Sequence, residues 1–303
     1  MHRILVLSDN KQSSNNLCEA LISEIKKIKR ISTDYLIINK GIVHYLPNIL
    51  IYLYLKIFCN YKKLKFNSFD LIISCGRITA PYNLIYKKIY NSKNIHILDP
   101  YIFRNCFTKI IIPEHDKSKI KELQNSLITI GTLVYKNKKK EKKVKFNKNK
   151  KIITFLIGGS GKSSNLKINE VTNVLQKLKG IERKYNFVSC FSRRTPSSVK
   201  QYLINNKYNY YPKEQNNPYQ YLIEKSDYFI VTEDSVGMIS DAISTGKPVF
   251  MIHLKKVKPK LRNFSNYLIS SGLVKKFDGT IINYKYKPLN EAKRVAISIS
   301  SEL

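Results

Sequence analysis

The stretch YFIVTEDSVGMISDA, residues 228–242, decides how this chain is read. A continuous hydrophobic run, 228–231, stops at Thr232-Glu233-Asp234-Ser235. Val236, Ile239 and Ile243 then recur at helical spacing. A run without polar alternation suits a strand covered on both faces, so the junction reads as a parallel strand feeding a helix. Asp234 or Ser235 is a good N-cap for that helix. Capping accounts for one of the two acids and leaves Glu233 at a strand end. A carboxylate there can accept hydrogen bonds from both hydroxyls of a ribose while the helix N-terminus holds a diphosphate. The helix stops at Thr245-Gly246-Lys247-Pro248, a glycine followed by a proline.

The same alternation extends in both directions. Apolar runs at 4–7, 35–38, 70–74, 95–98, 109–112 and 127–130 read as strands, with helices at 14–29 and 81–90. A basic polar stretch, 135–143, interrupts the pattern and reads as a linker. Strands then resume at 152–157, 186–191 and 248–253, with helices at 165–179, up to 209, 235–244, 263–272 and 289–303. Strands separated by helices imply right-handed crossovers and doubly wound sheets. The expected architecture is α/β, with one Rossmann-like domain over 1–145 and a second over 146–287 facing it across a cleft. A closing helix over 288–303 packs back on the first domain. Ligands in such sheets bind beyond the carboxyl ends of the strands, which directs attention to the loops there.

Charge narrows the partners. The 303 residues carry 54 Lys+Arg against 21 Asp+Glu, a net charge of +33. Such a surface attracts anions: phosphorylated metabolites, acidic lipid or nucleic acid. Abundant Lys, Asn, Ile and Tyr are also what AT-rich codons supply, so genome composition explains part of the excess. Without a recognisable RNA- or DNA-binding motif, nucleic acid is not the expected partner. Five cysteines at irregular spacing read as reduced thiols of a cytoplasmic protein, and five scattered histidines lack metal-ligand spacing. The first apolar run is too short for a signal-peptide core. The longest apolar region, 45–59, is broken by Pro47, Asn48 and Lys56 and is too short to span a bilayer. It reads as a buried core helix. Its Tyr and Lys neighbours would also suit a membrane surface.

Two loops of the second half suit an anion. Gly158-Gly159-Ser160-Gly161-Lys162-Ser163 follows a strand, and glycines let backbone amides approach a phosphate. It is not a full Walker A loop, because Leu156 stands where that motif needs a glycine. Ser192-Arg193-Arg194-Thr195-Pro196 follows the next strand. The arginines can fork onto phosphate oxygens, and Thr195 can cap a helix entered through Pro196. In the first half, Asp9 and Lys11, Gly76 and Arg77, and Glu114 and His115 stand at strand ends. Asp9 and His115 are the candidate acid–base groups.

Eight short motifs occur in order: Ser74-Cys75-Gly76-Arg77 with Thr79-Ala80-Pro81, Pro113-Glu114-His115-Asp116, Gly158-Gly159, Ser192-Arg193-Arg194-Thr195-Pro196, Asn217-Pro218-Tyr219, Thr232-Glu233-Asp234-Ser235, Thr245-Gly246-Lys247-Pro248 and Phe277-Asp278-Gly279. Together they make a chain that resembles the mitochondrial-fission "elongated mitochondria" family of plants and its bacterial relatives, described as glycosyltransferases. The resemblance implies a GT-B-like fold with a nucleotide-sugar donor held by the second domain. It assigns Gly158, Gly159 and Ser160 to phosphate contact, Arg193, Arg194 and Thr195 to the anion, and Glu233, Asp234 and Ser235 to ribose and diphosphate. Lys11, Gly76, Arg77 and Glu114 fall on the acceptor side. One departure is Asn10, where the family has glycine.

The expected function is transfer of a sugar from a nucleotide-diphosphate sugar to a lipopolysaccharide or polysaccharide acceptor, without metal or other cofactor. The expected place is the cytoplasm, at the inner face of the membrane, whose anionic surface would attract the basic chain. The alternatives are a nucleotide-sugar epimerase or hydrolase on the same fold, a non-catalytic interaction protein, and a P-loop NTPase.

Overall fold

The computed structural model describes residues 1–39, 41–58, 68–119, 123–136, 144–212 and 217–302. Most of the stretch read as a linker, 137–143, lies outside the described residues. The chain forms two compact units, Met1–Tyr135 with Asn290–Leu303, and Lys136–Leu289. Both are Rossmann-like, each built on a six-stranded parallel sheet.

The first unit runs β1 (His2–Ser8), α1 (Gln12–Ile28), β2 (Ile31–Ile37), α2 (Asn48–Phe58), β3 (Leu71–Cys75), α3 (Thr79–Tyr90), β4 (Lys93–Ile97), β5 (Lys109–Pro113) and β6 (Ser126–Thr129). The strand order is β2-β1-β3-β4-β5-β6. Val6 of β1 stands opposite Tyr35 on one side and Ile73 on the other. The chain therefore leaves β1 in one direction and returns on its far side at β3. The gap beyond the carboxyl ends of these two strands is a topological switch point, the preferred ligand position in open α/β sheets. Leu71, Ile72 and Ile73 are completely buried, as their uninterrupted run requires.

The α2 helix corrects the expectation of a buried core helix. Asn48, Ile51, Tyr52 and Leu55 turn inward, where the three apolar side chains join Ala80, Leu84 and Ile85 of α3. Each buried aliphatic there contributes about 1.5–3 kcal/mol. The opposite face, with Ile49, Leu50, Leu53, Tyr54, Ile57 and Phe58, is open to solvent. Periodicity failed to separate the cases because the helix is apolar all round.

The second unit runs β7 (Lys151–Ile157), β8 (Ser164–Asn165), α4 (Ile168–Lys177), β9 (Tyr185–Phe191), α5 (Ser197–Asn205), β10 (Tyr210–Tyr211), α6 (Tyr219–Lys225), β11 (Tyr228–Thr232), α7 (Val236–Ile243), β12 (Val249–Ile252), β13 (Lys256–Val257), α8 (Pro259–Ser270) and β14 (Lys275–Lys276). The order β10-β9-β7-β11-β12-β14 puts its switch point between β7 and β11. The helix expected from 165 starts later, because Ser164 and Asn165 pair antiparallel with β13. The final helix, α9 (Glu291–Ile299), buries Ala292, Val295, Ala296 and Ile299 beside Ala20, Leu21 and Ile25 of α1. Asn290 caps it by accepting from the Lys293 amide, and Glu291 accepts from the Ile130 amide at 3.0 Å.

Candidate functional site

At the second unit's switch point the loop after β7 lies against the loop after β11. The amides of residues 158–161 are already occupied. Gly158 donates to Thr232 Oγ1 at 2.8 Å and Gly159 to Asp234 Oδ2 at 2.7 Å. Ser160 donates to the Arg194 carbonyl and Gly161 to the Ser164 carbonyl. A Cβ on Gly158 would collide with the Asp234 carboxylate, and one on Gly159 with the Arg194 backbone. The expectation that these amides cradle a phosphate is thereby corrected. The glycines are needed because two neighbouring loops approach them closely.

The 192–195 loop is stitched to the same place. Thr195 Oγ1 donates to the Ile157 and Gly158 carbonyls and Ser192 Oγ to the Gly158 carbonyl at 2.8 Å, so Thr195 does not cap α5. The guanidinium of Arg194 stands 3.6 Å from Asp234, while Arg193 is exposed. Burial pushes the Asp234 carboxyl above its ordinary range, opposed by the Thr232 hydroxyl, the Gly159 amide and Arg194. Asp234 therefore ties the loops together instead of capping α7. Ser235 is the N-cap position but makes no side-chain cap bond. The amides of Val236, Gly237 and Met238, orphaned by helix geometry, have no partner among the described residues. Gly237 is exposed and a Cβ there would meet open space. The groups at this end suited to an anion are thus the start of α7 and the arginine pair rather than the amides of residues 158–161.

Glu233 is the largest correction. It is fully buried, and its carboxylate accepts from the Leu254 amide at 2.5 Å, Arg262 at 2.7 Å and the Ser265 hydroxyl at 3.1 Å. It faces the domain interior, so no ribose reaches it without breaking these bonds. Its partners stand 21 to 32 residues further along the chain.

The first unit's switch point has a different character. Asp9 is 3% exposed; its Oδ1 accepts from the Lys11 amide and its Oδ2 pairs with Lys11 Nζ at 2.8 Å. Asn10 adopts φ +59, the conformation for which a glycine would be expected. Gly76, φ +84, opens the facing loop after β3, with its Cβ position 3.6 Å from Ser14. Arg77 is not turned to this site: its guanidinium donates to the His44 and Leu46 carbonyls and to Asn48 Oδ1, holding the chain that leads into α2. Glu114 pairs with Lys117 and His115 with Asp116 in a turn after β5. That turn is three strands from β1, roughly 14 Å at ordinary strand spacing, so Asp9 and His115 are not brought together.

The model for the family described as mitochondrial fission ELM1 matches residues 16–303. The chain belongs to the mitochondrial fission ELM1 family. Its relatives include the uncharacterized protein RP120 of Rickettsia prowazekii, 30% identical over 280 residues, covering 75% of this chain and 78% of that protein. The mitochondrial fission protein ELM1 of Arabidopsis thaliana is 34% identical over 120 residues, 37% of this chain and 28% of that protein. Among solved structures, the UDP-GlcNAc 2-epimerase of Methanocaldococcus jannaschii superposes with a TM-score of 0.58 at 11% identity, covering 99% of this chain and all of that one. Medicago truncatula UGT71G1 complexed with UDP-glucose gives 0.55 at 8% identity, covering 98% and 89%. At these identities the likeness is one of fold: this ELM1-family chain has the two-sheet architecture of GT-B glycosyltransferases and UDP-sugar epimerases.

One polar pair of the second unit is not singled out by the sequence reading. Tyr219 donates to Asp241 Oδ2 at 2.6 Å, and burial pushes the Asp241 carboxyl up to about 6. Two signals point to it: Asn217-Pro218-Tyr219 is among the ordered motifs, and Asp241 lies on α7, the helix that Asp234 and Ser235 precede. Among the described residues no three His, Cys, Asp or Glu side chains gather as metal ligands.

Proposed function

We propose that this protein is a metal-independent GT-B glycosyltransferase that takes a sugar from a nucleotide-diphosphate sugar and delivers it to a lipopolysaccharide or polysaccharide acceptor. The observation that carries the reading is the start of α7. Three open amides and the helix N-terminus stand at the second switch point, in the unit that also presents Arg193 and Arg194. Such donors stabilise the charge that grows on a leaving diphosphate. Asp9, at the first switch point, is the proposed proton acceptor for the acceptor hydroxyl. The net charge of +33 favours a place at an anionic membrane surface, and no helix among the described residues is long and apolar enough to cross one.

Several of the similar solved structures are UDP-sugar 2-epimerases, which supports donor isomerisation as the second reading. The Arabidopsis relative is a mitochondrial fission protein, which favours an interaction role as a third reading. A panel of nucleotide sugars separates them. The transferase reading expects a thermal shift with one donor and nucleotide release that accelerates when acceptor is added. Isomerisation of the donor without acceptor establishes the epimerase. No shift with any nucleotide sugar refutes both, and a shift with ATP and Mg²⁺ alone restores the NTPase.

A further inference from the structure

The outward face of α2 has no role in the site described. Ile49, Leu53 and Ile57 form a stripe one turn apart, 40%, 45% and 71% exposed, with Leu50, Tyr54 and Phe58 beside it. Ile42 and Tyr45, in the turn before the helix, are almost fully exposed. A contiguous apolar surface of this kind is far from the scattered exposed leucines of an ordinary monomer.

A second segment extends it. Phe103 makes an edge contact with Tyr52 of α2, and Tyr101 and Phe103 are both about half exposed. Leu98, Tyr101 and Phe103 all have positive φ, which bulky L-residues rarely adopt. The loop is clamped there by Asp99, which accepts from the Tyr101 amide and binds Arg104 through both oxygens at 3.0 and 2.9 Å. An unfavourable backbone thus holds two aromatic rings in solvent beside an open apolar helix.

We infer that this face of the first unit docks on an anionic lipid bilayer, lying in its interface. The inference gives named residues to the membrane part of the function proposed above. Charge selects the occupant. The sequence has no acid between Asp34 and Asp70, and none between Asp70 and Asp99, so α2 and α3 carry only basic charges. Lys56 is exposed on α2 and Lys88 donates to Tyr52 Oη at 2.9 Å. Asp99 is buried and paired with Arg104. A second copy at +33 is repelled, whereas acidic headgroups meet the charge and acyl chains meet the aliphatic stripe. Tyr45, Tyr54 and Tyr101 suit headgroup depth, where an amphipathic ring is half wet.

The test is sedimentation of the full chain with vesicles of phosphatidylcholine alone and of phosphatidylcholine mixed with phosphatidylglycerol. The chain is expected on the mixed vesicles only. L53E/I57E, at exposed positions that leave the core intact, is expected to lower partitioning at least about tenfold. Its melting temperature and thermal shift with the nucleotide-sugar panel should be unchanged, which separates failure of the docking face from failure of the enzyme reading. Equal binding by parent and variant, or no binding to mixed vesicles, overturns the inference. So does a dimer in sedimentation equilibrium that L53E/I57E abolishes.

Discussion

The two switch points share a topology and differ in chemistry. In the first, an acid, Asp9, is held by the amide and ammonium of the same nearby lysine. In the second, the acids are drawn inward, Glu233 to Arg262 and Asp234 to the Gly159 amide, leaving arginines and helix amides outward. The same strand–loop–helix geometry therefore offers a candidate proton acceptor in one unit and a candidate anion receptor in the other. What differs is which backbone donors the loops consume internally. Where two loops are tied together through glycine amides, the open amides lie at the start of the next helix.

Glu233→Ala attacks that difference hardest. It strands Arg262 and the Leu254 amide, and should destabilise the second unit by about 3 kcal/mol in denaturant titration. The part that remains folded should bind donor unchanged; weakened binding would return Glu233 to the ribose. Asp9→Asn should lower turnover about a hundredfold and leave donor affinity intact, since the charge it removes belongs to the other unit. A loss confined to donor binding would erase the distinction between the two switch points.

Gly159→Ala should cost about 2 kcal/mol of stability, because its Cβ meets backbone of the Arg194 loop rather than a movable side chain. An unaffected melting temperature would mean the loop has room for a ligand after all. Arg193→Ala should weaken donor binding about tenfold by calorimetry, with stability unaltered and a smaller deficit at high salt. Asp241 gives the smallest effect. Its folded pKa of about 6 lies above the ordinary 3.8. Its contribution to stability is thus complete below about pH 4 and lost as pH rises through 6. Asp241→Asn should match the parent at pH 4 and exceed it by about 1 kcal/mol at pH 8, after allowance for partial exposure. A constant difference at both pH values would remove the titration.

Much of this was legible in the chain. Continuous apolar runs such as Leu71–Cys75 and Tyr228–Thr232 became buried parallel strands, because covering both faces leaves no alternation to hide them. The positive φ at Asn10 suits an asparagine in the tight loop after β1, since Asn visits the left-handed region more readily than most side chains. The short α6 was not read, since seven residues after Asn217-Pro218 are too few to show a period. The exposure of α2 was not readable either, for a helix apolar all round has no inside until a neighbour covers one face.

By itself, then, the sequence determined two α/β units, the loops at their switch points and membership of a family. Those properties follow from local periodicity and from motifs a few residues long. Only the tertiary structure decided what each polar side chain does. Glu233 met Arg262 from 29 residues away, Arg77 turned to the carbonyls before α2, and the glycine amides met Thr232 and Asp234 more than 70 residues on. Hydrogen bonds are short-ranged and directional, so a donor's partner is known only once the fold has brought distant segments within about 3 Å.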